Sequence, residues 1–417
     1  MIPYNTAIVL TGTSLLGATS GLIGTFALLR RRALLGDTLA HAALPGLCLG
    51  FLLWHQRSLP VMLGGALATG VAGIGVVSGL RRFTRIKDDA ALGIVLSLFF
   101  GAGLALLKFI QRHPVGDSPA GLDHYIFGSA AGMIASDVKL IGTIAVTGLL
   151  AILLLYKEFR MVSFDAAFAR VQGWPASFLD FLIMLLVSVT VIVALPAAGV
   201  VLTAAQLVLP AVAARFWTDS LGVMLFLAAS FGAVIGATGT LISAGGGVPT
   251  GPMIVLAGTA LVAVAMLFAP RRGLLARTIA DGRARRRIDE QNLLLAIDAP
   301  DPTSGGAAVT FDALAARLTQ PVGRLRQSLR AAQRAGWLRR VNADSWRLTE
   351  TGVSRAAAVT RARCLWRLFL TEYPESASLF NDLDVERIDE VLPSEIVAKL
   401  EEASHNSAPS HEEKAAP

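Results

Sequence analysis

Two residues of the apolar stretch "LLGDTLAHAALPG", Asp37 and His41, carry groups that bind metal ions. They are four residues apart, so on an α-helix both lie on one face and can approach the same object. Carboxylate oxygen and imidazole nitrogen are both ligands for Mn²⁺, Fe²⁺ and Zn²⁺. Two ligands make a weak, open site, which suits an ion that must leave again. The structural alternative is an aspartate at a helix start beside arginines, with a histidine bonded to a backbone carbonyl.

Composition predicts that membrane helices position this pair. The chain is 54% hydrophobic and 16% charged, whereas soluble domains carry about 25% charged residues. Residues 1–270 hold 15 Lys+Arg and 10 Asp+Glu, against 22 and 20 in the shorter remainder, 271–417. This distribution predicts a long membrane domain, 1–270, followed by a soluble one. The two cysteines, Cys48 and Cys364, exclude a disulfide framework and a cysteine-rich zinc site.

Nine apolar stretches are long enough to cross a bilayer, which takes about 17–25 residues. The weakest is 197–215, because Pro196 and Pro210 bracket it and Gln206 lies inside it. If the spans alternate, the Lys and Arg clusters fall on one side, which the positive-inside rule makes cytoplasmic. The N-terminus is then outside, and a cytoplasmic C-terminal domain requires an odd number of spans, so nine is preferred to eight. The spans are predicted near residues 5–29, 35–54, 60–80, 90–110, 138–156, 177–195, 197–215, 220–243 and 250–268.

The position of Asp37 and His41 within a predicted span also makes them functional candidates, because a charged side chain at membrane depth is costly and is kept mainly where function needs it. The chain has no phosphate-binding GxxxxGK[ST] loop and no nucleophile–base constellation. We therefore expect a transport subunit rather than an enzyme, with ATP hydrolysis carried out by a separate chain.

The segment 157–175, "KEFRMVSFDAAFARVQGWP", is cytoplasmic by the same charge distribution. It mixes Phe164 and Phe168 with Asp165 and Arg170, as a short amphipathic helix does. Because its aromatic face has no lipid to enter, the segment is predicted to dock on another protein. An ordinary connecting loop is the alternative.

Five blocks of residues 1–270 resemble, in the correct order, the permease subunits of the zinc/manganese/iron ABC importers, the ABC-3 metal permeases. The blocks are "RRRALLGDTLAHAALPGLCLGF", "KDDAALGIVLSLFFGAGLALL", "FDAAFARVQGWP", "VLTAAQLVLPAVAARF" and "VPTGPMIVLAGT". The resemblance implies that Asp37 and His41 contact the metal. Gln206 departs from the family, whose members more often have an apolar residue there. The resemblance also implies an ATPase-coupling loop with these residues: Phe164, Asp165, Phe168, Arg170 and Gly173.

The partners implied by this resemblance are an ABC ATPase, an extracytoplasmic metal-binding protein and a second permease subunit, as a homodimer or a heterodimer. The chain would lie in the bacterial inner membrane as a multi-pass protein. A manganese, zinc or iron ion would be the transported substrate, and no cofactor is expected to be bound permanently.

The soluble part is predicted to be cytoplasmic, with a basic linker at 271–287, a domain at 288–403 and a disordered tail at 404–417. Residues 310–352 predict a helix, a tight turn, a second helix and a two-stranded wing. The expected fold is thus an all-α polytopic membrane protein with a C-terminal winged-helix α+β domain. The predicted helix-turn-helix core consists of Leu314, Leu318, Val322, Leu325, Leu329 and Leu338.

Residues 288–403 resemble the metal-dependent repressors of the diphtheria toxin repressor type, through "RLTETGVSRAAAVTRARCLWRLFLTEY" and "VERIDEVLPSEIVAKLEE". The resemblance implies a degraded regulatory metal site, because Arg363 replaces a histidine and Asp389-Glu390 replaces Glu-His. Residues 271–367 hold 19 Lys+Arg against 8 Asp+Glu, whereas 368–417 hold 3 against 12. The basic half suits DNA. Since the halves can also neutralise each other, a regulatory or docking role is preferred to DNA binding.

The favoured function is that of a permease that imports manganese, zinc or iron and is driven by a separate ATPase. The alternative is a membrane-tethered metal sensor or DNA-binding regulator, which would not need the loop 157–175. A permease for iron chelates or cobalamin is disfavoured, because a large ligand needs no Asp-x3-His pair. The choice of metal stays open.

Overall fold

The computed structural model divides the chain into two compact units, Met1–Arg277 and Thr278–Pro417. Each unit is described by itself. The residues that the structure describes are 3–30, 34–54, 59–112, 130–270, 272–298, 308–373, 388 and 392–406.

All the regular elements in the described residues of the first unit are helices. Long apolar runs favour helices in a membrane, because a helix satisfies its backbone N–H and C=O groups internally. A short 3₁₀ helix, Ala130–Gly132, precedes the fifth α-helix. The α-helices are α1 (Tyr4–Leu29), α2 (Leu34–Trp54), α3 (Leu59–Phe83), α4 (Asp88–Arg112), α5 (Ala135–Leu154), α6 (Tyr156–Phe164), α7 (Ala166–Val171), α8 (Ala176–Ala198), α9 (Val200–Trp217), α10 (Leu221–Gly246) and α11 (Thr250–Phe268).

Among the described residues, eight helices are long and apolar enough to cross a membrane: α1 to α5, α8, α10 and α11. They correspond to eight of the nine predicted spans, which confirms a polytopic membrane protein. The ninth predicted span, 197–215, coincides with helix α9, which is not among the eight. The count of nine crossings therefore stays a prediction.

The boundary between α8 and α9 differs from the predicted one. Pro196, expected to end a span, lies inside α8, and the chain breaks three residues later at Gly199, with φ 77°. This left-handed backbone is open to glycine and strained for residues with a Cβ. Glycine conformation, rather than the proline, therefore places the break.

Helices α1 and α10 pack at backbone distance through small residues. A Cβ added to Gly17 would lie 2.1 Å from the carbonyl oxygen of Gly232, and one added to Gly236 would lie 2.3 Å from that of Thr13. The hydroxyls of Thr13 and Thr240 are hydrogen-bonded at 2.8 Å in the same contact. Small residues let membrane helices approach closely. The middle of α1 is thereby held against α10.

The segment 157–175 forms two short helices, α6 and α7, rather than one amphipathic helix. The break is at Asp165, whose carboxylate accepts hydrogen bonds from the N–H groups of Ala167 (2.9 Å) and Phe168 (2.8 Å). An aspartate at this position satisfies the free N–H groups of a new helix. Gly173, with φ 80°, follows the end of α7.

The second unit combines helices with a small antiparallel sheet. Its elements are α12 (Leu274–Asp298, which begins in the first unit), β1 (Val309–Thr310), α13 (Phe311–Arg317), α14 (Val322–Arg334), β2 (Leu338–Asn342), β3 (Ser345–Leu348), α15 (Glu350–Glu372) and α16 (Ser394–Asn406). The strand order is β1-β3-β2. Within 310–352 the order is helix, helix, hairpin, as the apolar spacing indicated. Identity as a winged-helix regulator stays a prediction.

Three details of the second unit differ from expectation. Val322 was predicted as core but is 51% exposed, whereas Leu314, Leu325, Leu329 and Leu338 are buried. Much of the predicted linker 271–287 belongs to helix α12. Helix α16 continues through Asn406, so a disordered tail cannot begin at 404; residues 407–417 lie outside the described part.

Candidate metal-transit site and docking segment

Helix α2 brings Asp37 and His41 together at its first turns. His41 Nε2 lies 3.4 Å from Asp37 Oδ1, and the side chains are 13% and 36% exposed. Two ligand atoms, each about 2.1 Å from a tetrahedral ion, are about 3.4 Å apart. The separation therefore matches the distance between two ligand atoms bound to one small divalent cation. The partly exposed carboxylate leaves the pair open on one side.

The surroundings of His41 do not supply the carbonyl partner that the structural alternative requires. Its Nδ1 is buried and has no hydrogen-bond partner among the described residues. The ring of Phe100, in α4, meets the imidazole edge to face, with centroids 4.5 Å apart. The imidazole is thus held by an aromatic ring and faces the carboxylate through Nε2.

The backbone under this pair is fixed by close helix contacts. A Cβ added to Gly46 in α2 would lie 2.1 Å from the carbonyl oxygen of Gly65 in α3, and one added to Gly103 in α4 would lie 2.7 Å from Leu44 Cβ. On the side of α9, a Cβ at Gly36 would meet the Leu207 side chain at 2.9 Å. Helix α2 therefore packs closely against α3, α4 and α9.

The pair has no third protein ligand nearby in the part of the chain that the structure describes. No group of three or more His, Cys, Asp or Glu side chains that could hold a metal occurs there. A cation at Asp37 and His41 would need further ligands from water or from another subunit. Such an incomplete shell suits passage better than storage.

The helices α6 and α7 form the docking segment (residues 156–171), which exposes aromatic side chains. Phe164 is 59% exposed and Phe168 is 51% exposed. Both border a cavity of about 480 Å³. Its lining residues are Tyr156, Arg160, Met161, Phe164, Asp165, Phe168, Asp219, Ser220 and Leu221.

Three of the five predicted coupling residues line this cavity: Phe164, Asp165 and Phe168. Arg170 bonds back to the carbonyl of Ala166 at 3.2 Å, and Gly173 lies beyond the end of α7; neither lines the cavity. The contribution of Asp219 and Ser220 was not predicted. Their short turn carries no motif that places it beside residues 156–168, which are far away in sequence.

Arg363, the predicted remnant of a regulatory metal site, makes a structural contact. Its Nη2 donates to Asn292 Oδ1 at 2.7 Å and so links α15 to α12. Asp389 and Glu390, the other two residues of that prediction, lie outside the described residues.

Comparison with known proteins agrees with the arrangement of the membrane unit. Residues 4–269 match the model of the ABC 3 transport family. The chain belongs to this family. It is a non-enzymatic membrane subunit of an ABC transporter.

Curated relatives extend the comparison. The manganese transport system membrane protein MntC of Bacillus subtilis is 38% identical over 381 residues, 91% of this chain and 87% of the relative. The zinc transport system membrane protein TroC of Treponema pallidum is 43% identical over 275 residues, 65% of this chain and 91% of the relative. Because 381 residues exceed the 277 of the first unit, the MntC match continues into the second unit.

A solved structure is also similar, PsaBC from Streptococcus pneumoniae in complex with Fab. It has a TM-score of 0.58 and 28% sequence identity, over 65% of this chain and 94% of that one. The match therefore covers nearly the full length of that solved chain.

Proposed function

We propose that this permease carries manganese, zinc or iron across the inner membrane and that the ion passes Asp37 and His41. The chain is the permease subunit of an ABC importer for divalent transition metal, and relatives are named for manganese, zinc and chelated iron transport. The observation that supports the transit site is the 3.4 Å separation of His41 Nε2 and Asp37 Oδ1. A carboxylate and an imidazole suit all three metals, so the pair does not choose among them.

A second permease subunit would complete the coordination. One chain offers one carboxylate and one imidazole, which is half of a four-ligand shell. A homodimer would bring two such pairs to a shared path, and Asp37 is exposed enough to face a partner. Release would then follow from separating the pairs, without breaking either helix.

The docking segment is the proposed contact with the separate ATPase. Exposed aromatic residues beside a cavity are typical anchors of protein interfaces. On the opposite, extracytoplasmic side a metal-binding protein would deliver the ion. The second unit would lie in the cytoplasm with a regulatory or docking role; DNA binding is the weaker proposal, since its acidic C-terminal part offsets its arginines.

Metal uptake tests the transit site directly. Vesicles that contain the permease, its ATPase and the binding protein are supplied with radiolabelled Mn²⁺ or Zn²⁺. Asp37→Ala and His41→Ala should each lower uptake by at least about tenfold, as loss of metal-site groups does elsewhere. Asp37→Asn should fail as well, because it keeps the size and removes the charge.

The control is Lys108→Ala, which removes an exposed charge of α4 that bonds to Gln111 at 3.0 Å and should transport normally. Near-normal uptake by the Asp37→Ala/His41→Ala double variant would make the pair structural. If wild-type vesicles bind metal yet take up none, the competing proposal of a membrane-tethered sensor gains support.

A further inference from the structure

Arg30, at the end of α1, contacts two other helices with one guanidinium group. Its Nη1 donates to the carbonyl oxygen of Val162 in α6 at 2.6 Å, and its Nη2 donates to Asp180 Oδ1 in α8 at 2.7 Å. The side chains of Arg30 and Asp180 are only 16% and 15% exposed. A planar guanidinium that bonds two acceptors at once fixes their relative position.

The Val162 contact has a specific physical cause. Helix α6 ends at Phe164, so the carbonyl of Val162 belongs to the last turn, where helical N–H partners are missing. The C-terminal end of a helix also carries partial negative charge, which favours a cation there. Arg30 thus caps α6 from a different helix.

A second contact joins the same two helices one turn away. The rings of Phe26 in α1 and Phe159 in α6 meet edge to face at 5.6 Å. Phe26 and Arg30 are separated by four residues and Phe159 and Val162 by three, so each pair lies on one helix face. Helix α6 is therefore attached to the end of α1 at two points.

The attached end of α1 leads directly to the metal-ligand pair. Helix α2 begins at Leu34, four residues after Arg30, and Asp37 lies in its first turn. A shift of the docking segment would therefore act through Arg30 on α8, which carries Asp180 and also packs against α2. Since the ion pair is mostly buried, salt screens it little.

We propose that Arg30 is a positioning residue that transmits movement of the docking segment to the helix with Asp37 and His41. This inference rests on the docking role proposed above. Arg30 does not touch the metal. Its function is to keep α6, α8 and the end of α1 moving together when the ATPase acts.

The test measures metal transported per ATP hydrolysed, in vesicles with the ATPase and the binding protein. Arg30→Ala should leave the ATPase bound and hydrolysing, while transport per ATP falls about tenfold, within the range of coupling between distant sites. Arg30→Lys should recover only part of the coupling. The lysine keeps the positive charge, but its ammonium lacks the planar fork that bonds two acceptors at once. The control Arg361→Ala breaks another arginine–carboxylate pair, with Glu401, and should leave coupling unchanged.

The charge-reversed variant Arg30→Asp/Asp180→Arg separates this role from a simple ion pair. It restores opposite charges, but an aspartate has no donor for the Val162 carbonyl, so coupling should stay low. Restored coupling would overturn the proposal, as would normal coupling in Arg30→Ala. Loss of the ATPase from Arg30→Ala would also overturn it, since the residue would then support docking alone. ATPase binding by Phe164→Ala/Phe168→Ala is measured in parallel. If this double variant binds the ATPase normally, the docking role itself fails, independently of the result for Arg30.

Discussion

Helix α2 and the docking segment depart from the usual distribution of polarity in opposite directions. Helix α2 places Asp37 and His41 among apolar helices, and the docking segment exposes Phe164 and Phe168 beside charged side chains. Each arrangement is costly for the isolated chain: a polar group in apolar surroundings loses its hydration, and an exposed aromatic patch keeps its hydrophobic area in water. In each region we propose that a bound partner offsets the cost.

The difference between the two regions lies in what must arrive. At α2 the proposed partner is small and charged, because the surrounding helices are in close contact and Asp37 Oδ1 and His41 Nε2 are only 3.4 Å apart. At the docking segment the proposed partner is a protein with an apolar patch, because Phe164 and Phe168 stand exposed beside the cavity. One site therefore suits an ion and the other suits a protein.

Rigidity of α2 is the feature whose removal should have the largest effect. Gly46→Ala would place a Cβ 2.1 Å from the Gly65 carbonyl oxygen, so α2 and α3 would have to separate. Overpacking of this kind costs about 1–3 kcal/mol, and we expect a lower unfolding temperature together with loss of metal uptake. Thermal unfolding in nanodiscs is the measurement.

Gly64→Ala is the matched control, since a Cβ there has open space within 4 Å. It should be neutral or more stable by up to about 1 kcal/mol, because alanine favours a helix over glycine. If both alanine variants lose stability equally, the close contact with Gly65 is not what holds α2.

The docking segment should respond to loss of its aromatic residues with weaker binding of the ATPase and an intact fold. Phe164→Ala/Phe168→Ala should weaken the complex about thirtyfold, as expected when interface anchors worth about 2 kcal/mol are truncated. Co-purification and binding titration measure this. Phe226→Ala, at a 73% exposed phenylalanine of α10 outside the cavity, is the control; full retention of the ATPase by the double variant would refute the docking role.

Sequence reasoning could point to both regions because their signals are local. The four-residue spacing of Asp37 and His41 is visible in the chain, and so are the long apolar runs that became helices. The break of the docking segment at Asp165 was missed, although an aspartate before a helical turn is a recognised start signal. Arg30 could not be assigned a role from the sequence, because its partners Val162 and Asp180 are 132 and 150 residues away. Neither partner lies in a sequence motif that would point to Arg30.

A smaller effect should follow from changing the ring that orients His41. Phe100→Leu keeps apolar volume but removes the edge-to-face contact, which is worth about 0.5–1.5 kcal/mol. We expect the metal concentration for half-maximal uptake to rise about threefold to tenfold, with little loss of maximal rate. The neighbouring Phe99→Leu should change little. Equal shifts in both variants would show that α4 packing, and not the contact with His41, is responsible.

The smallest effect is expected at Arg363, which contrasts with Asp37 and His41. All three are candidate metal-site residues by sequence, but Arg363 already has a partner, Asn292, at 2.7 Å. A satisfied polar group stabilises its surroundings and leaves nothing for a ligand to complete. Arg363→Ala should therefore lower the local stability of α12 and α15 by about 1 kcal/mol, the net value of one hydrogen bond.

Hydrogen exchange of the full-length protein measures that local stability, with the exposed Arg367→Ala one turn later on α15 as the control. Added Mn²⁺ should leave exchange in α12 and α15 unchanged in wild type and in both variants, because the arginine cation cannot ligate a metal. Protection of these helices by Mn²⁺ in wild type would contradict this and would identify a working regulatory site in the second unit. A hydrogen-bonded arginine is a structural group, whereas His41 Nε2 and Asp37 Oδ1 lie 3.4 Å apart with no third ligand among the described residues, as the proposed transit site requires.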